Sequence, residues 1–123
     1  MIPATVLTFN VSDADFNKMR ALAAPLGLRF KAVPPESFTM PLGGMLGMPA
    51  GNAAASDGEP FSDPMLLMCN LNERQFNQLL QLLRAPGLPR VPLKAVLTPH
   101  NVGWNALRLH GELVREHEAM QGR

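Results

Sequence analysis

The sequence predicts an α+β fold made from a tandem strand-helix-strand repeat, and the repeat itself is the first of three observations behind that prediction. Residues 10–28 and 70–88 align without a gap at an offset of 60, with identities at Asn10/Asn70, Phe16/Phe76, Asn17/Asn77, Leu22/Leu82, Gly27/Gly87 and Leu28/Leu88. A period of this length marks duplication of a whole supersecondary unit. Second, each helical stretch lies between two short apolar runs of strand character. Third, Lys31-Ala32-Val33 recurs as Lys94-Ala95-Val96 at an offset of 63, so the second copy carries three extra residues in its turn, within Pro89-Arg90-Val91-Pro92.

Each element follows from local chemistry. Thr5-Val6-Leu7-Thr8-Phe9 is β-branched and aromatic, and Met65-Leu66-Leu67-Met68-Cys69 is apolar throughout, which suits central strands covered on both faces. Ser12 with Asp15, and Asn72 with Gln75, have the spacing of a capping box at the start of each helix. Phe16, Met19, Leu22 and Ala23 form one helical stripe, and Phe76, Leu79, Leu80 and Leu83 form its counterpart. Gly27 and Gly87 end the helices, and second strands follow over Leu28 to Val33 and Val91 to Thr98. Thr98-Pro99-His100-Asn101 then opens a C-terminal helix that reaches about Ala119.

Two such units about a pseudo-twofold axis predict a ferredoxin-like four-stranded antiparallel sheet with both helices on one face. A small parallel α/β sheet is the alternative, because residues 34–64 are long enough for a crossover helix. The expected organisation is a single domain, 1–123: repeat one 4–34, a Met/Gly-rich segment and mobile linker 35–63, repeat two 64–98, and a C-terminal helix 99–120.

Strand alternation assigns Leu28, Phe30, Ala32, Val91, Leu93, Ala95 and Leu97 to the face beneath the paired helices. The other face then carries Arg29, Lys31, Val33, Lys94, Val96 and Thr98 at its margins and Val6, Thr8, Leu66 and Met68 at its apolar centre. Leaving the large apolar side chains wet forfeits roughly 1.5–3 kcal/mol each, so a cover is required. The candidates are the C-terminal helix, the Met-rich segment or a second subunit. The C-terminal helix has two apolar stripes, Trp104/Leu107/Gly111/Val114 and Ala106/Leu109/Leu113/Met120. The surplus stripe leads to the expectation of a homodimer through this helix or the open sheet face.

Eleven Lys and Arg against ten Asp and Glu give a net charge of +1, without the basic excess of a nucleic-acid or anionic-membrane binder. Seven aromatic residues and no tyrosine leave few stacking platforms for bases. A single cysteine and the absence of a charged and apolar leader make the cytoplasm the expected compartment. No GxxxxGK[ST], GxGxxG or GxSxG pattern is present, so no cofactor is expected and no residue takes a catalytic role.

The candidate ligand site is the junction of the last strand with the C-terminal helix. There Thr98, His100, Asn101 and Trp104 surround amides able to meet an anion, and Lys94 supplies charge. His110 and His117 are about 10 Å apart on one helix side, too far to share an ion without help from a partner chain. Met40, Met45, Met48, Met65 and Met68 read as core filler or a peptide-contact surface rather than a cuprous site. Cys69, in an apolar strand without a CxxC partner, reads as inert.

The run Leu93-Lys94-Ala95-Val96-Leu97-Thr98-Pro99, followed by Asn101, Trp104, Glu112-Leu113 and Glu116-His117-Glu118, resembles an uncharacterised bacterial family, domain-of-unknown-function family 3783. Pro41-Leu42-Gly43 with Leu46-Gly47 resembles it too, so that the likeness runs nearly end to end. His100 and Gly103 depart from its pattern. The resemblance implies a small cytoplasmic protein and names no activity. The reading reached is a non-catalytic binding or regulatory module for a small ligand or a protein partner. The alternative is a small enzyme whose site is the same junction, with Lys94, His100 and Asn101 as participants.

Overall fold

The structure, a computed structural model, describes residues 3–48 and 60–121. Most of the stretch expected to be a mobile linker, 49–60, lies outside the described residues.

Four strands, β1 (Thr5–Phe9), β2 (Arg29–Val33), β3 (Met65–Cys69) and β4 (Leu93–Val96), form one mixed sheet in the order β2-β1-β3-β4. β1 pairs with β2 in parallel, β3 pairs with β4 in parallel, and the two central strands pair antiparallel. Helix α1 (Asp13–Ala23) links the first pair and α3 (Glu73–Leu82) the second. A four-residue turn of helix, α2 (Leu42–Met45), lies in the long connection, and α4 (Ala106–Gln121) closes the described chain.

The chain forms two βαβ units, as expected, but not in the ferredoxin-like arrangement. That fold splits each unit by a strand of the other; here each unit keeps its strands adjacent. Hydrophobic pattern does not separate the two solutions, because both put the apolar β1 and β3 at the centre and the charged β2 and β4 at the edges. The connection does separate them. A split arrangement makes β2 and β3 a hairpin, which takes about 2–5 residues, whereas residues 34–64 are available here to carry the chain from an edge strand past β1.

The caps form as their residues require. Ser12 accepts the Asp15 amide at 3.2 Å, and Asn72 and Gln75 make the full reciprocal box at 2.8 and 3.0 Å. Gly27 and Gly87 take φ of 72° and 89°, the left-handed region that a Cβ disfavours. The repeated Asn10 and Asn70 also turn left-handed after β1 and β3, at φ 59° and 60°. Asn10 further anchors the chain entering β3, its side-chain amide donating to the carbonyls of Phe61 and Asp63.

The face assignments need correcting. Val6, Leu66 and Met68 pack beneath α1 and α3, with Met19, Ala23 and Leu79. Leu93, Ala95 and Leu97 lie on the opposite face, with Leu7, Phe9, Met65 and Leu67. β1 and β3 are apolar at every position but the two threonines, so alternation sets no phase in them, and the Lys-Ala-Val match at offset 63 places Leu93 and Ala95 in phase with Phe30 and Ala32. Register shows that match to be one residue out. Val6 pairs with Phe30, and its repeat counterpart Leu66 pairs with Lys94. Phe30 therefore corresponds to Lys94 at an offset of 64, the insertion is four residues, and Lys31 and Lys94 point to opposite faces.

A cover over the second sheet face is present, and the same chain supplies it. Phe38, Leu42 and Met45 from the connection and Ala106, Leu107 and Leu109 from α4 bury it. Thus both candidate segments act together, and the open sheet face that a homodimer was expected to use is occupied. Among the described residues, no helix is long and apolar enough to cross a membrane.

Candidate functional site

The expected site at the end of β4 resolves into a tight turn. Residues Pro99 to Gly103 are not helical; α4 begins only at Ala106, where buried Asn105 accepts the Arg108 amide at 2.9 Å. Asn101 explains the delay. Its side-chain oxygen accepts the Thr98 amide at 2.9 Å, its side-chain amide donates to the Val96 carbonyl at 3.0 Å, and the Thr98 hydroxyl accepts the Asn101 amide at 3.2 Å. Those groups are consumed in holding the turn, so Thr98 and Asn101 present no array of amides to a ligand.

The turn is also a fastener. The carbonyls of Val102 and Trp104 accept the amides of Gly43 and Leu42 at 2.9 and 2.7 Å, and the Phe38 carbonyl accepts the Ala106 amide at 3.0 Å. The Pro41-Leu42-Gly43 and Thr98-to-Trp104 motifs, distant in sequence, thereby form one latch that pins the cover to the sheet. Outside it, His100 stands edge-on to Trp104 at 5.3 Å and the Arg108 guanidinium lies 4.5 Å from the same ring.

Lys94 is not part of this cluster. It sits on the α3 side of the sheet, where its ammonium donates to the Val91 carbonyl. It lines a cleft of about 690 Å³ between the C-terminal end of α3 and the start of β4, together with Arg84 and Arg90 and walls from Leu80, Leu83 and Leu88. Among the described residues, no acidic side chain lines this cleft and none forms an ion pair with any of the three cations. Burial, and then repulsion from Arg84 and Arg90, hold the Lys94 ammonium below its ordinary pKa of 10.5. Like charges crowded without a counter-charge make a site for an anion.

Arg84 and Arg90 were not singled out from the sequence. As exposed arginines in a proline-rich loop they carry no motif. The available signal was the broken repeat: Arg84 matches Ala24, and Arg90 lies in the insertion that the first copy lacks.

His110 stacks on Phe61, with ring centroids 4.0 Å apart, and its Nε2 is 3.5 Å from an Asp63 carboxylate oxygen. Among the described residues, no three His, Cys, Asp or Glu side chains gather as a metal site. Met65 and Met68 lie in opposite core layers, Met45 is buried with the former, and Met40 is exposed, so the methionines do not converge. Cys69 is fully buried, its thiol pushed up to about 12 by that burial, which keeps it protonated and unreactive.

No curated protein and no solved structure matches the chain. A family model does match, over residues 64–120. The matched stretch takes in the second unit, the cleft, the turn and α4, while Pro41-Leu42-Gly43 and the whole first unit lie outside it. Residues 64–120 of this chain match the model of a domain of unknown function, DUF3783.

Proposed function

We propose that this protein is a non-catalytic binding module whose ligand carries negative charge, seated between α3 and β4. The observation that carries the reading is the set Arg84, Arg90 and Lys94 around one cleft that has no carboxylate in its lining among the described residues. Its volume falls within the roughly 300–1,000 Å³ common to small-molecule sites. The enzyme alternative at the strand-to-helix junction draws no support from the geometry, because Thr98 and Asn101 satisfy each other and Lys94 is on the far side of the sheet.

Thermal unfolding in the presence of small carboxylates, phosphates and their neutral analogues tests the reading. Anions raise the melting temperature by several degrees in the native protein and much less in Arg84→Ala/Arg90→Ala. A panel in which no anion acts, or in which the double variant responds equally, overturns it.

A further inference from the structure

The cleft is too large for a bare anion, and its walls are not all polar. Its 690 Å³ would hold about twenty waters at about 30 Å³ each. Leu80, Leu83 and Leu88 are only half-buried along it. A second cleft lies further along the same strand and helix, lined by Leu71, Phe76 and Val96 and by the polar Asn70, Asn72 and Glu73. Val96 is 45% exposed, among the largest such values for an apolar side chain here.

The two clefts are neighbours in register. Lys94 and Val96 are two residues apart and project from the same face of β4, about 6–7 Å from each other. Leu80 and Phe76 are four apart on α3 and lie one above the other. The edge of β4 and the flank of α3 therefore offer a line of sites, three cations at one end and, at the other, a notch in which Leu71, Phe76 and Val96 form the apolar wall. A peptide adding to the β4 edge fits this less well, because Asn101 already occupies the Val96 carbonyl.

Resting on the anion reading above, we infer that the ligand is an amphiphile: a carboxylate or phosphate head on Arg84, Arg90 and Lys94, with an apolar chain running along β4 toward Leu71, Phe76 and Val96. The head supplies charge complementarity to three cations that have no ion-pair partner among the described residues. The chain covers the apolar surface that α3 leaves open beside Val96.

Calorimetric titration with octyl phosphate, inorganic phosphate and octanol, each below any aggregation threshold, tests this. Each buried methylene strengthens binding by about fourfold, so octyl phosphate is expected to bind at least tenfold more tightly than inorganic phosphate, and octanol negligibly. Octanoate against acetate repeats the comparison for a carboxylate head. Val96→Asn, an exposed-site change that spares the fold, should bring octyl phosphate down toward inorganic phosphate while leaving inorganic phosphate unchanged. Equal affinity for the two phosphates overturns the amphiphile and leaves the anion reading standing. Absence of binding by both phosphates and both carboxylates, or octanol binding as well as octyl phosphate, removes the anion reading as well.

Discussion

Lys94 and Phe30 hold the same position in the two halves of the sheet, one in register with Leu66 and the other with Val6. In the first half the Phe30 ring closes edge-on against Phe16, with centroids 6.2 Å apart. In the second half the counterpart of Phe16 is Phe76, but a charged side chain replaces its partner and a cleft lies beside it. A charge where the first half packs a ring is a local departure from the apolar pattern of the sheet.

Lys94→Phe should accordingly stabilise the protein. Restoring a partly buried ring and removing a charge repelled by Arg84 and Arg90 is expected to add about 1 kcal/mol, or roughly 4 °C in melting temperature. The same variant should lose most of its response to anions. A drop in melting temperature in differential scanning calorimetry would show that Lys94 is structural instead.

The pH dependence follows from the depressed ammonium. The unfolded chain keeps the Lys94 proton up to 10.5, whereas the folded chain releases it earlier. Across that interval the unfolded state binds more protons, so Lys94 becomes less costly to fold as pH rises. The gap in stability between Lys94→Met and the native protein should narrow toward pH 10.5, measured by urea titration at a series of pH values.

Cys69 behaves in the opposite sense. Its thiol titrates near 9.0 when unfolded and at about 12 when folded, so its contribution to stability is complete below 9.0 and declines as pH rises from there to about 12. Iodoacetamide at pH 8 should modify it only through opening of the fold, at least a hundredfold more slowly than in urea. Rapid labelling under native conditions would contradict its burial.

Asn101→Ala separates a structural turn from a binding site. Removing its side chain leaves the Thr98 amide and the Val96 carbonyl without their partner, at about 1–3 kcal/mol for each group that stays buried. The expected result is a loss of about 2 kcal/mol in chemical denaturation with the anion response intact. His100→Ala, at an exposed ring, should change neither.

Much of this fold was legible in the sequence because its signals are local. Caps at Ser12 and Asn72, left-handed glycines at 27 and 87, and the apolar runs of β1 and β3 each rest on a few neighbouring residues. What was misread depends on distance. The phase of β4 depends on whether the insertion before it has three residues or four, which the register with β3 decides and the Lys-Ala-Val recurrence does not. The start of α4 was misplaced because Asn101 turns its side chain back to Val96 rather than forward into a helix. The cleft was missed because Arg84, Arg90 and Lys94 converge only once α3 is laid over β4.

The antiparallel seam between β1 and β3 has a consequence for the smaller unit that the family model delimits. Severed from the first half, residues 64–120 would retain β3 with one flank bare, a five-residue apolar edge with nothing to bond to, and would lose Phe38, Leu42 and Met45 from above α4's layer. Such a piece is poorly suited to solitary life. Expressed alone it should aggregate, or find a twin and remake the seam across a true twofold axis.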